Sequence, residues 1–521
     1  MRALLAVAFA LALGGAAAAQ PVVTSAAPEG VTVTVYRDRP VDTAQLYRQI
    51  DYGFPQGLAM ITETRRVTLP AGRSTVRFRG VAEGVLPQSA KVDGVDGVEQ
   101  NFDFDLLSPG SLIARTVGEP VRRIRTNPET GAETVDRGVL RSAASGVVLE
   151  IEGRLEALGC SGLPERLVFD RIPANLAEEP TLSVVVDAQR AGPQTLRLSY
   201  LAYGLQWSAD YVARVREDGR TLDLTGWITL ANTGRTTFER APTAVVAGEV
   251  NRRNEPPPQP RVFSAERRCW PMDTTTEGEI AEAIVVTGGR LSRAEAMFAP
   301  PPPPPAMVAE PAPPAPIAEL SELGDYKLYT LPEPTTVAAR QAKQVLFLDQ
   351  KGATFDRRYR VDVVASGGQL HTPRQSARIL LRLQNTTAAG LGRPLPSGRV
   401  VVMERTSDGS LALAGRPQVR DMPEGAPVEL PLGRAFDVTA DARLVSQEQT
   451  GDGRRYVLEV TVANAETTPA AVEIAHQTYG RAFRVVEQSG EHAVVEGRPV
   501  WTFPVPANGR AVVRYTIETA D

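Results

Sequence analysis

Imidazole, thiol and paired carboxylate are the groups that could do chemistry here, and the chain spaces each of them unfavourably. It has three histidines, His371, His476 and His492. None has a second ligand at metal-site spacing such as H-E-x-x-H. His476 closes the strand-like run Val472-Glu-Ile-Ala-His476, and His492 lies near a glycine turn, so ordinary strand or surface positions are expected for both. No G-x-S-x-G elbow occurs; the nearest string, Gly159-Cys160-Ser161-Gly162, suits a turn ahead of the strand Arg166–Asp170. A phosphate-cradling glycine loop is absent. The acidic string from Asp93 to Glu99 places a glycine directly after each aspartate. That is turn chemistry, whereas a calcium loop wants oxygens at alternate positions. A glycosidase pair cannot be picked out of 61 acidic residues. The expectation is no catalytic residue, no metal and no cofactor.

The two cysteines, Cys160 and Cys269, have no C-x-x-C spacing and are expected to form a disulfide if the compartment is oxidising. The N-terminus supports that compartment. Arg2, the apolar run Ala3–Leu13 and the small residues Ala16–Ala19 form a signal peptide over 1–19. The apolar run is too short to span a bilayer, which takes about 20 residues. No later segment is apolar enough to do so. An exported protein is expected, periplasmic or secreted. A net charge of −4 argues against nucleic acid as a partner. The one basic cluster, Arg122-Arg123-Arg125, is interleaved by Val121 and Ile124 and is expected to be a solvated strand edge.

The elements that would position any site are strands. Val31–Tyr36 alternates strictly, and Arg65–Leu69 followed by Pro70-Ala71-Gly72 and Thr75–Phe78 predicts a hairpin. Sustained helical periodicity is absent. An all-β chain of tandem sandwich or barrel-like modules is expected: an N-terminal module over 20–105, a small barrel-like insert over 106–180, a domain over 181–251 and 321–440, and an immunoglobulin-like sandwich over 441–521. Neither a cysteine pair nor a core tryptophan marks that sandwich as antibody-type. Residues 252–320 contain six consecutive prolines from Pro300 to Pro305. Proline has no amide donor, so this stretch is expected to be a disordered insertion interrupting the 181–440 domain.

Aromatic and glycine residues cluster between Leu196 and Asn251: Tyr200, Gly204, Trp207, Tyr211, Gly226, Trp227, Asn232 and Gly234. The second half adds Asn385, the turn Pro394-Leu-Pro396-Ser-Gly398 and the strand Gly433-Arg-Ala-Phe-Asp-Val438. Together these resemble a large bacterial group, domain-of-unknown-function family 4139, some members of which are labelled mucoidy inhibitor A. The resemblance covers nearly all of the mature chain outside the proline-rich insertion. The long coiled coil of some relatives is missing, which removes coiled-coil oligomerisation as an expectation. The family carries no agreed activity. Strand aromatics are expected to be core, with a sugar-stacking platform as the alternative.

Inside the insertion, Glu282-Ala-Ile284-Val285-Val286-Thr287-Gly288 resembles the TonB box of outer-membrane receptors. The resemblance implies a strand that docks on a partner such as TonB. The functional expectation is an exported, non-enzymatic envelope protein that binds or scaffolds another envelope protein or polysaccharide. A hydrolase acting on envelope polysaccharide is the alternative.

Overall fold

The computed structural model describes residues 20–37, 43–52, 57–103, 107–251, 317–366 and 369–520. Short loop stretches at 128, 144–145, 159–164, 174–175, 177, 371, 452 and 479–481 are excepted. The fold is all-β, as its alternating sequence predicts. No described helix is long and apolar enough to cross a membrane. The described chain forms two compact units, one within residues 1–31 and 61–202, the other within 32–60, 203–254 and 315–521.

The first unit uses β1 (Val22–Ser25), β2 (Leu58–Leu69), β3 (Gly72–Arg79), β4 (Asp96–Asp103), β5 (Thr181–Ala188) and β6 (Gly192–Tyr203). The expected hairpin around Pro70-Ala71-Gly72 does not form. Strand β3 pairs in parallel with β1 and antiparallel with β5, while β2 lies in another sheet beside β6. Gly72, at φ 84°, turns the chain through a corner. Both strands can then bury one face: Ile61, Val67 and Leu69 on β2, Val76 and Phe78 on β3.

Between β4 and β5 lies an open five-stranded sheet, in the order Arg154–Ala157, Val148–Ile151, Glu133–Ser142, Pro120–Thr126, Glu165–Val168. It has its own small core of Val121, Leu140, Val147 and Leu149. A short helix, Pro109–Arg115, is started by a capping box between Ser108 and Ser111. Within the arginine cluster of this sheet, expected to be a solvated strand edge, Arg122 and Arg125 are partly exposed but Arg123 is not. Arg123 is buried and pairs with Asp136 at 2.6 Å and with Glu156, and Arg125 bonds Glu156 at 2.6 Å. The Arg125 and Arg123 guanidinium groups hold the Glu156 carboxyl below the usual range.

In the second unit, Gly30–Tyr36 runs parallel to Thr243–Ala247, which pairs with Tyr326–Thr330. Regular strand after the insertion resumes at Glu319, ahead of Tyr326. A helix the alternation did not announce, α1 (Thr43–Tyr52), packs on β7 (Leu205–Val215), β8 (Thr221–Asn232) and β9 (Gln341–Ser366). The sheet continues through β10 (Arg374–Gln384), β11 (Gly398–Arg405), β12 (Pro427–Thr450), β13 (Gly453–Asn464), β14 (Ala470–Gln477), β15 (Arg498–Val505) and β16 (Gly509–Ala520). The 26-residue β9 pairs with β8 through its first half and with β10 and β14 through its second.

Past that point β10, β12, β13 and β16 fold over β14 and β15 around one core, which includes Val361, Leu458, Val460, Ile474, Trp501 and Tyr515. This sandwich does have a core tryptophan, contrary to expectation. Trp501 is 2% exposed and stacks on Tyr515 at 4.2 Å. Strand β12 carries the chain unbroken across residue 440. Four strands are also joined by a charged quartet: Glu473 accepts from Arg360 at 2.9 Å and Arg382 at 2.8 Å, and Arg382 reaches Glu429 at 2.6 Å.

Candidate functional site

The residues that carry the sequence resemblance converge mainly on one place in the second unit. Strand β7 alternates, so Trp207 and Tyr211 point to the same face, and both are 1% exposed. The Tyr211 hydroxyl donates to the Pro396 carbonyl at 2.6 Å, and the Tyr329 hydroxyl donates to the Pro394 carbonyl at 2.9 Å. The Pro394-Leu-Pro396-Ser-Gly398 turn offers carbonyls without proline N–H donors, and two buried phenols hold them. Phe347 sits between the phenols, edge-on to Tyr211 at 5.7 Å and to Tyr329 at 5.5 Å. Burial pushes the Tyr211 and Tyr329 hydroxyls well up from their ordinary value, so both remain donors across the physiological range.

Arg37 completes the clamp. It is 5% exposed, stacks 4.3 Å above the Trp207 ring, and donates through Nη1 to Ser397 Oγ at 2.8 Å and Asp421 Oδ1 at 2.6 Å. Asp421 Oδ1 also accepts the Ser397 amide at 2.6 Å. A buried guanidinium is thus matched by one carboxylate and one indole face. Sequence reasoning missed Arg37, Phe347, Ser397 and Asp421. For Arg37 the signal was a cation directly after the apolar alternation of Val31–Tyr36.

The glycines of the set are explained by close approach. A Cβ on Gly398 would lie 2.1 Å from the Ala209 carbonyl oxygen, and one on Gly226 would lie 2.8 Å from the Phe347 ring. Asn232 ends β8, donating to the Thr236 and Val337 carbonyls at 2.8 and 3.2 Å and accepting the Gly234 amide at 3.0 Å. Asn464 repeats the device at the end of β13, donating to Thr468 at 2.9 Å and accepting the Glu466 amide at 3.0 Å. The shared signal is Ala-Asn followed within five residues by Thr-Thr, at 231–237 and 463–468. Asn385 ties down its own loop through Arg393 and Pro423. Gly204 accepts the Thr233 amide at 2.8 Å beside this end of the hairpin.

Other members of the set lie elsewhere: the strand Gly433–Val438 is part of β12, with Ala435 and Val438 in the sandwich core. Trp227 is half-buried on the face of β8 opposite Gly226. Tyr200 belongs to the first unit, where its hydroxyl donates to Glu63 Oε1 at 2.6 Å and accepts the Ala82 amide at 3.0 Å. Glu63 Oε2 receives Arg65 Nε at 2.8 Å and Nη2 at 2.5 Å. All three side chains are buried.

Strand β7 itself carries the carboxylate Asp210. It accepts from Thr229 at 2.9 Å, from Ser208 at 3.4 Å and from Thr43 of α1, while Gln344 donates to Thr229 at 3.1 Å. That is a cradle of hydroxyls fastening α1 to the sheet. Among the described residues no three His, Cys, Asp or Glu side chains group as metal ligands would. His476 is fully buried rather than on the surface. Its Nδ1 lies 2.9 Å from the Tyr515 hydroxyl, and burial lowers its value to about 4. Cys160, Cys269 and the segment Glu282, Ile284, Val285, Val286, Thr287 and Gly288 lie outside the described residues.

What this arrangement does chemically is hold a frame. Tyr211→Phe should destabilise the protein by about 1–2 kcal/mol, because the Pro396 carbonyl loses its buried donor. Urea unfolding measures it, and an unshifted midpoint would show that the hydroxyl anchors nothing. No family model and no curated protein matches this chain.

Proposed function

We propose that the protein is an exported, non-enzymatic envelope protein that binds or scaffolds another envelope component. The observation that carries this reading is the commitment of the aromatic strands. Trp207, Tyr211, Tyr329 and Phe347 are spent on the clamp; of the aromatic residues expected either as core or as a sugar platform, Tyr200, Trp207 and Tyr211 are buried, while Tyr203 and Trp227 are half-buried. Two open concave surfaces, one lined by Arg374, Thr439 and Arg510 and the other by Arg77, Glu99 and Ser183, are instead polar sheet faces, a build suited to recognition across several strands. Export is supported by the charged, apolar and small-residue order of the first nineteen positions.

The rival hydrolase needs two carboxylates converging beside those aromatics. Two candidates beside them are Asp210 and Asp421, and both are engaged: one in the hydroxyl cradle, the other by Arg37 and Ser397. Affinity capture from an envelope extract with the tagged mature chain is expected to retain one component. Asp210→Asn and Asp421→Asn should retain it too, and should keep the protein's effect on the cell. Loss of that effect in a variant of unchanged melting temperature would favour the hydrolase and overturn this reading.

A further inference from the structure

The solvent face of the second unit's sandwich carries a trough whose charge is not balanced. Strands β10, β12, β13 and β16 are antiparallel neighbours, so their side chains line up in rows across the sheet. One row is Ser376, Thr439, Ala463 and Arg510; the next is Arg374, Asp441, Thr461 and Val512; the third is Arg443, Glu459 and Arg514. The opposite face of the same strands buries Ala440, Ala442, Leu458, Val460, Val462 and Val513. That alternation keeps the rows in water. Short side chains in the middle and long ones around them make a depression of about 840 Å³.

Three guanidinium groups, Arg374, Arg443 and Arg510, line the depression with two carboxylates, Asp441 and Glu459, and Arg514 stands beside it, opposite Glu459 in the third row. Arg374 bonds Asp441 at 2.9 Å, and Arg443 bonds Glu459 at 2.9 and 2.6 Å. Arg510 and Arg514 are exposed, and neither side chain has a partner among the described residues. The excess is local: the next row, Ser446, Val457, Thr516 and Glu487, carries a single carboxylate that accepts from Thr516 at 3.3 Å, and the one after it, Glu448, Arg455, Glu518 and Arg484, is neutral and internally bonded at Glu518.

We propose that this trough binds a segment of an anionic polysaccharide, its carboxylates on Arg510 and Arg514 and its hydroxyls on Ser376, Thr439 and Thr461. The assignment rests on the binding reading above and names the ligand class. Charge complementarity selects a polyanion, and guanidinium groups suit planar carboxylates. The floor selects a sugar. Backbone donors and acceptors of these strands are used in the ladder, so the face cannot add a peptide strand, and the lining of the trough is polar or charged apart from Ala440 and Ala463, which suits no apolar side chain. None of the residues lining the trough is aromatic, as a single-stranded nucleic acid would require for stacking. Hydroxyl groups facing hydroxyl groups fit a glycan chain lying across the sheet.

Titration calorimetry on the whole mature chain, at low salt, is the test. A short oligogalacturonate should bind, and its affinity should fall as salt is raised through the physiological range. A neutral maltooligosaccharide of the same length should not bind. The double substitution Arg510→Gln with Arg514→Gln removes two unpaired surface charges, so folding is unaffected and affinity should drop about tenfold or more. Unchanged affinity in the double variant would place the ligand elsewhere and overturn the assignment. Equal binding of an oligoglutamate of the same charge would overturn the glycan chemistry. No oligogalacturonate binding by a chain that still captures its envelope component removes the trough alone. Failure of both measurements removes the binding reading as well.

Discussion

Replacing Arg65 with methionine is expected to destabilise the first unit by about 3–5 kcal/mol. Arg65 and Glu63 sit two apart on β2, so both project inward among Ile61, Val67 and Leu69, and both are essentially unexposed. The guanidinium gives two bonds to one carboxylate oxygen and the Tyr200 phenol gives one to the other. Without Arg65 the carboxylate keeps only the phenol and is left charged in a dry site, the costly way to break a buried pair. Glu63→Gln combined with Arg65→Met removes both charges and should recover a large part of the loss. Arg443→Met provides the control. Its partner Glu459 is at a similar distance, 2.6 Å, but Arg443 is largely in water, so its loss should cost no more than about 0.5 kcal/mol. Urea midpoints for the three variants decide it. Equal losses for Arg65→Met and Arg443→Met would mean that burial does not set the strength of these pairs here.

The same pair shows where sequence reading stops. Period-two alternation makes β2 legible as a strand, and the apolar members 61, 67 and 69 name its inner face. That logic puts charge at 63 and 65 on the wrong side, unless the two charges neutralise each other, which a one-dimensional pattern does not display. The hairpin at Pro70-Ala71-Gly72 failed for a related reason. A turn signal gives the local reversal of the chain but not whether the two strands share a sheet, and here Gly72 feeds two sheets. In the second unit Trp227 is half-buried and Phe436 is exposed, whereas residue type placed Trp207 and Tyr211 in the core. Their partners were not legible, because Arg37, Phe347, Ser397 and Asp421 come from separate stretches of chain that only the fold brings together. Trp501 was overlooked despite its position in an alternating strand. Its signal was present in Pro499-Val-Trp501, where the tryptophan follows a buried valine near the end of the chain.

His476 should make the second unit acid-sensitive in a defined window. The imidazole is fully buried, lies 2.9 Å from the Tyr515 hydroxyl through Nδ1, and is edge-on to Phe483 and Tyr515 at 5.1 and 5.4 Å. Its other nitrogen has no partner among the described residues. Among the described residues no carboxylate compensates a positive ring there, so burial lowers the folded-state value to about 4. In the unfolded chain the ring titrates near its ordinary value of about 6.5. Above that value neither state binds the proton and stability is independent of this group. Between about 6.5 and 4 only the unfolded state is protonated, so stability falls as pH falls. Below about 4 both states bind the proton and the loss is complete. It amounts to about 3 kcal/mol, since one pK step corresponds to about 1.4 kcal/mol. His476→Phe keeps an aromatic ring in the site and cannot titrate. The variant begins at a disadvantage at pH 7, because the Tyr515 hydroxyl loses its partner, and it should gain on the wild type by about 3 kcal/mol as pH is lowered to 4. Carboxylates elsewhere titrate alike in both proteins and cancel in the difference. A stability difference that stays constant from pH 7 to pH 4 would show that the ring is reached by water or a counter-charge, and the buried-neutral account of His476 would fall.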